Sequence, residues 1–144
     1  MVRNVMSGKS RRFCIVAPTA ALRHEYATWF FLRGKPEPIA ATDIVLVRQM
    51  DDNHDGFGPI LAGCSIFPTD GPFAVCEYAA TNPSVSTRLA YEAMDFGIGG
   101  LIAYGVMRGK GMICFPSSDG MEKMLARRGF ARGRAWMECS PWKL

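Results

Sequence analysis

A chain of 144 residues with 49% hydrophobic and 21% charged residues has the size of one domain and enough apolar content to bury a core, which excludes a disordered polypeptide. No apolar run reaches the roughly 18 residues that cross a bilayer, and no membrane partner is expected. The net charge of +4 suits a phosphate-bearing ligand or an acidic partner without selecting either.

The chain reads as a single domain over residues 1–144, with residues 1–11 as a flexible basic arm. Arg3, Lys9, Arg11 and Arg12 crowd this end, and no apolar stretch of signal-peptide length follows them. A first strand is predicted from Arg12 to Val16. Ala17-Pro18-Thr19 then leads into a helix from Ala21 to Arg33, whose Trp29-Phe30-Phe31 is unusually aromatic. Those rings read as core packing with one ring at the rim. His24 in the same helix reads as a surface or rim residue rather than a catalyst.

Two prolines in Gly34-Lys35-Pro36-Glu37-Pro38 exclude helix and central strand, so this stretch is a loop. Thr42–Met50 and Pro59–Phe67 are predicted to pair as an antiparallel hairpin. Its tip, Asp51-Asp52-Asn53-His54-Asp55-Gly56, has metal-ligating residue types. It lacks the alternate spacing and terminal glutamate of a calcium loop, and reads as a solvated turn, with no metal expected.

Phe73 to Ala80 is the next strand, ended by Asn82-Pro83-Ser84 because proline cannot donate to a ladder. A long helix starts near Ser86-Thr87, with hydroxyls able to cap its N–H groups. Ala90, Met94, Ile98, Ile102 and Val106 recur every four residues and define its sheet-facing stripe. Gly97, Gly99 and Gly100 fall in mid-helix, so they are no dinucleotide fingerprint; close packing or a local break explains them. Lys110-Gly111 is read as the helix end. Met112–Phe115 is a strand stopped by Pro116, and Ser117-Ser118-Asp119-Gly120 opens a short helix from Met121 to Arg128, ended by Gly129. Ala135 to Cys139 is the last strand. The unit is βαβα, and its two strands are expected to run parallel.

Five cysteines, Cys14, Cys64, Cys76, Cys114 and Cys139, show no C-x-x-C spacing, and each lies in an apolar strand-like run. They read as small hydrophobes in a reducing, cytoplasmic setting rather than as a disulfide or zinc framework. Arg127, Arg128, Arg132, Arg134 and Lys143 make the C-terminal part basic. Few aromatics interleave with them, so a solvated face is favoured over nucleic-acid binding.

The order strand, turn, long helix, strand, short helix, and the ending Leu125-Ala126-Arg127-Arg128-Gly129-Phe130, resembles the GNAT superfamily of acyl-CoA N-acyltransferases. The resemblance implies a mixed α/β domain with a central sheet of about six strands flanked by helices. It implies acetyl-CoA as acyl donor and an amine as acceptor. In the family, a glycine-containing turn after the fourth strand holds pyrophosphate on backbone N–H groups at a helix N-terminus. The corresponding stretch here, Ser84-Val85-Ser86-Thr87-Arg88, has no glycine. It keeps a helix start, hydroxyls and a cation, beside the alternative that these are ordinary capping residues.

By the same resemblance the backbone of Tyr78, Ala79 and Ala80 would hold the thioester and the pantetheine arm. Glu77, the only acid of this strand, is the candidate base, beside its reading as a solvent-facing strand residue. Ser118 matches an asparagine that bonds the cofactor arm. The family's acidic tyrosine is replaced by Leu125, for which Tyr78, Tyr91 or Tyr104 could substitute. The resemblance also makes the aromatic helix a candidate wall for the acceptor. Two functions follow from it. One is an acetyl-CoA-dependent N-acetyltransferase. The other, suited to the missing glycines and tyrosine, is a GNAT-like protein of bacteriophage type that has lost catalysis and serves as a binding or virion-associated protein with a protein partner.

Overall fold

A computed structural model of the chain describes residues 13–38, 41, 43–50, 57–116, 118–133 and 136–141. The basic arm, the acidic hairpin tip with His54, and Arg134 and Lys143 of the basic C-terminal part lie outside the described residues.

Seven strands form one sheet in the order β1-β2-β3-β4-β5-β7-β6. In chain order these are β1 (Phe13–Val16), α1 (Ala20–Leu32), β2 (Asp43–Met50), β3 (Phe57–Pro68), β4 (Phe73–Thr81), α2 (Thr87–Arg108), β5 (Gly111–Cys114), α3 (Asp119–Arg127), β6 (Ala131–Arg132) and β7 (Met137–Cys139). The predicted hairpin is antiparallel β2–β3, and β4 pairs with β5 in parallel across α2. The strand count exceeds the expected six by the two-residue β6, which pairs with β7. Two residues carry no periodicity, so pattern alone does not reveal such a strand.

Alternation along β2 sorts the core. Val45 and Val47 face α2 and α3, while Leu46 faces α1. The larger cluster joins Ile66, Cys76 and Met112 of the sheet to Met94, Ile98 and Leu101 of α2 and to Met124, Leu125 and Phe130. The smaller one holds Tyr26, Trp29, Phe30, Leu46 and Ile60 under α1. The aromatic triplet divides as expected: Trp29 and Phe30 are buried and Phe31 is 79% exposed.

The four-residue stripe of α2 holds only over its first half. Ala90, Met94 and Ile98 are buried, but Val106 is exposed and the buried set moves to Leu101 and Gly105. A step of four overshoots the 3.6-residue turn, so the stripe drifts around the helix. No break occurs at the mid-helix glycines, and close packing accounts for them. A Cβ on Gly97 would stand 3.0 Å from Val47 Cγ2, and one on Gly100 3.0 Å from Ile15 Cδ1.

The three helices of the described residues end in the same 6→1 backbone motif, with a glycine in the left-handed region just beyond the last turn. At α1 these are Lys35 N–H to Phe30 O and Gly34 N–H to Phe31 O, with Gly34 at φ 66°. At α2 the terminating residue is Gly109, two residues before the predicted Gly111, which instead opens β5. At α3, Gly129 ends the helix and turns Phe130 into the core. That is the physical content of the Gly-Phe ending.

Candidate functional site

β4 and β5 stay paired from Phe73↔Gly111 to Cys76↔Cys114, after which β5 stops and β4 runs on to Thr81. The far half of β4 thus has β3 on one side and, among the described residues, no strand on the other. In the same half the ladder is irregular. Ser65 faces Glu77 and Gly63 faces Ala80, so three steps on β4 answer two on β3. Tyr78 absorbs the extra residue at φ 58°, the one positive-φ non-glycine among the described residues. This is a β-bulge with a bulky residue in a conformation costing about 1–3 kcal/mol.

Three contacts hold the bulge. The Tyr26 hydroxyl of α1 donates to the Tyr78 carbonyl over 2.5 Å, and having one proton it accepts from Ser65 Oγ at 3.0 Å. The Cys64 thiol donates to the Glu77 carbonyl at 3.4 Å. The Tyr78 ring packs edge-on to Phe30 and Phe67, with centroids 6.1 and 6.2 Å away. Burial holds the Tyr26 hydroxyl well above the usual phenol range, so it remains a donor.

The bulge and the open edge decide where the backbone donors point. Asn82 N–H donates to Leu61 O on β3 at 2.8 Å. Successive extended residues point their N–H groups to opposite sides, so Ala80 also turns to β3 while Ala79 and Thr81 turn to the open edge. The Thr81 carbonyl follows the same rule and accepts Arg33 Nη2 at 2.6 Å.

The turn that follows has its own scaffold in place of glycines. Asn82 is buried, its amide donates to Ile60 O at 3.0 Å, and its Oδ1 accepts Ser84 N–H at 2.8 Å. Val85 packs on the core. Ser86 is the N-cap of α2, its Oγ accepting Leu89 N–H at 3.2 Å. Arg88 is bound to Glu92 at 3.2 Å along the helix, with its side chain 85% exposed. The N–H groups of Thr87 and Arg88, in the first turn, have no intrahelical acceptor.

A cleft of about 340 Å³ lies against the open edge. Ala79, Ala80 and Thr81 of β4 form its floor, Thr87, Ala90, Tyr91 and Met94 of α2 one wall, and Ser118, Gly120, Met121 and Met124 of the α3 region another. Phe30, Arg33 and Lys35 close it from the end of α1. Four of the sequence-derived candidates therefore meet in one cleft: Ala79, Ala80, Thr87 and Ser118. The Ser118 hydroxyl is also the N-cap of α3, accepting Met121 N–H at 3.2 Å.

The other candidates stand apart from the cleft lining. Ser84, Val85, Ser86 and Arg88 build the turn and helix start beside it. Glu77, half-buried opposite Ser65, and the Tyr78 ring lie toward the α1 face. A second hollow of about 190 Å³ opens on that face, lined by His24, Tyr26, Glu37 and Ser65 among others. His24, read from sequence as a surface or rim residue, borders this hollow.

Of the three tyrosines weighed as substitutes, Tyr91 lines the cleft and accepts a hydrogen bond from Arg127. Tyr104 is bonded to Asp43 at 2.5 Å in the last part of α2. Leu125 is fully buried in the core. Phe30, Arg33, Lys35 and Met94 line this cleft without a cofactor-site role in the sequence-based reading, and Tyr91 entered it only as a substitute acid. The Arg-Gly-Lys run that ends the aromatic helix was the available signal.

All five cysteines are free, four of them buried. Among the described residues no group of three His, Cys, Asp or Glu could hold a metal ion, and no helix is long and apolar enough to cross a membrane.

No protein-family model matches the chain, and no curated protein matches it by sequence. Solved structures do match it in three dimensions. An N-acetyltransferase from Staphylococcus aureus Mu50 superposes with a TM-score of 0.59 at 9% identity, covering 92% of this chain and 99% of its own. The ribosomal-protein-S18-alanine N-acetyltransferase from Escherichia coli gives 0.56 at 11%, covering 85% and 80%. A GNAT family acetyltransferase from Brucella melitensis, solved with acetyl-CoA, gives 0.53 at 12%, covering 90% and 88%. The seven-stranded mixed sheet and these neighbours show that the chain has the GNAT fold.

Proposed function

We propose that the protein is an acetyl-CoA-dependent N-acetyltransferase. The observation that carries this reading is the cleft where β4 leaves β5, floored by N–H groups of Ala79 and Thr81 that no strand among the described residues takes up. Such an edge suits the amide-bearing pantetheine arm, which can pair with it as an added strand would. The first-turn N–H groups of α2 suit the diphosphate. The acetyl-CoA-bound neighbour from Brucella melitensis supports the same assignment.

Acetyl-CoA supplies an acetyl thioester, whose carbonyl carbon is open to attack by an amine. The chain's part is to hold that carbonyl along the backbone of Tyr78, Ala79 and Ala80, where the outward N–H of Ala79 stabilises the charge developing on oxygen. Glu77, directly or through a water, takes the proton lost by the amine. The amine arrives from the α1 face, on the side of Glu77 and Ser65. A C–N bond forms, the C–S bond breaks, and a thiolate leaves more readily than an alkoxide, so Leu125 in place of a tyrosine does not forbid the reaction.

Three observations favour a second reading, a GNAT-like protein that binds without transferring, of the virion-associated kind. Ser86 is committed as a helix cap, Arg88 to Glu92, and the position of the family's tyrosine is core. An acceptor screen separates the two readings. Purified protein is incubated with acetyl-CoA and a panel of amines, from polyamines to peptides with free N-termini, while released thiol is followed. Amine-dependent thiol release that Glu77→Gln lowers about a hundredfold supports the enzyme. Saturable CoA binding without release for any amine supports the second reading.

A further inference from the structure

We propose that Arg33 and Lys35, at the end of α1, carry the phosphate charge of the coenzyme, replacing the glycine-rich turn on which this fold ordinarily relies. The inference rests on the acetyl-CoA reading above and adds where the diphosphate is neutralised.

The turn after β4 has spent much of its donor capacity internally. Ser84 N–H is bonded to Asn82 Oδ1, and Leu89 N–H to Ser86 Oγ. The nearest cation in sequence, Arg88, extends along the helix to Glu92. A diphosphate seated at Thr87 thus has the helix N-terminus beneath it, and cations on the facing wall would complement it.

Arg33 and Lys35 are where such a ligand requires them. Both line the cleft, in which Thr87 and Tyr91 form another wall. Their backbone is fixed, since Arg33 caps α1, Gly34 takes the left-handed conformation, and Lys35 N–H closes the motif on Phe30 O. Arg33 is further anchored to the strand that leads into the turn. Its Nη2 donates to Thr81 O at 2.6 Å, with Thr81 Oγ1 at 3.5 Å, and its Nη1 meets Trp29 O at 3.4 Å. A guanidinium has five N–H donors, so these bonds orient the group and leave donors for phosphate oxygens. Lys35, exposed on its stem, supplies a second and more mobile charge. One wall therefore offers dipole and N–H groups and another offers two full cations.

The experiment compares CoA with pantetheine, which has the same arm and no phosphate, by calorimetry on the wild type, Lys35→Gln, Arg33→Gln and the double variant. Lys35→Gln removes an exposed charge and leaves the fold intact, so it tests the idea even if Arg33→Gln disturbs the end of β4. CoA affinity is expected to fall about tenfold with each substitution, while pantetheine affinity stays at the wild-type value. CoA binding unchanged in both single variants overturns the inference and leaves the acetyl-CoA reading standing. Equal weakening of CoA and pantetheine also overturns it, because the effect would then be distortion rather than charge. A wild type that binds neither ligand overturns both.

Discussion

The hydroxyl of Tyr26 on α1 donates to the backbone carbonyl of Tyr78 on β4 over 2.5 Å, although the two residues are 52 apart in sequence. This bond joins the helix of one face to the bulge that shapes the cleft. Tyr26→Phe removes it and leaves a desolvated carbonyl at a strained residue. Urea unfolding is expected to show a loss of about 1–3 kcal/mol, and acetyl transfer should fall with it. A variant as stable as the wild type would show that the bulge holds itself.

Gly63 tests the same contact from below. A Cβ there would stand 2.7 Å from Tyr26 Cδ1 and 2.9 Å from Leu46 Cδ2. Gly63→Ala must push the Tyr26 ring aside, at an overpacking cost of about 1–3 kcal/mol. Combined with Tyr26→Phe, its effect should be less than additive, since both act through the same ring position. Strict additivity in a double-mutant cycle would separate the two sites.

The cysteines give a count that any thiol reagent reads. Cys14 is half-buried, whereas Cys64, Cys76, Cys114 and Cys139 are buried. Hydrogen bonding among neighbouring thiols and burial hold Cys64 and Cys76 well above the usual thiol range, and burial raises Cys139. The native protein should expose one rapidly reacting thiol and the urea-unfolded protein five. Several fast thiols in the native state would contradict the packing of the α2 face.

Stability should fall in alkali over a defined window. Burial, and next its hydrogen bond to Asp43, push Tyr104 from 10.0 up to about 12. Between those values the unfolded chain gives up a proton that the folded chain keeps, so it binds fewer protons and stability drops as pH rises. Below pH 10 the contribution is fully present. Tyr26, raised in the same direction by burial, adds to the drop. Urea midpoints from pH 9 to 12 should decline in the wild type and decline less steeply in Tyr104→Phe. Identical slopes would show that Tyr104 is not held protonated.

Much of the fold was legible because its signals are local. Asn82-Pro83 ends β4, Ser86 caps α2, Ser118 caps α3, and Gly129-Phe130 turns the chain into the core. Each works through its own backbone or a neighbour within a turn. The bulge was not legible, since Phe73–Ala80 reads as an unbroken strand and tyrosine favours strands. Its partner at the Tyr78 carbonyl is Tyr26, which only the tertiary fold brings there. The place of Arg33 and Lys35 is hidden for the same reason, because they reach the cleft only when α1 packs across the sheet. The Arg88 to Glu92 pair, by contrast, has the four-residue spacing of a helical ion pair and could have been read in advance.

The most direct test of the account is calorimetric titration of the folded protein with acetyl-CoA and with CoA, on the wild type and on Thr87→Glu. A glutamate in the first turn of α2 is compatible with the helix but opposes phosphate in the cleft. The account predicts saturable one-to-one micromolar binding of both ligands by the wild type, lost or strongly weakened in Thr87→Glu. No heat from either ligand, with a folded wild type at high concentration, would contradict the claim that the cleft between β4 and β5 is a coenzyme site.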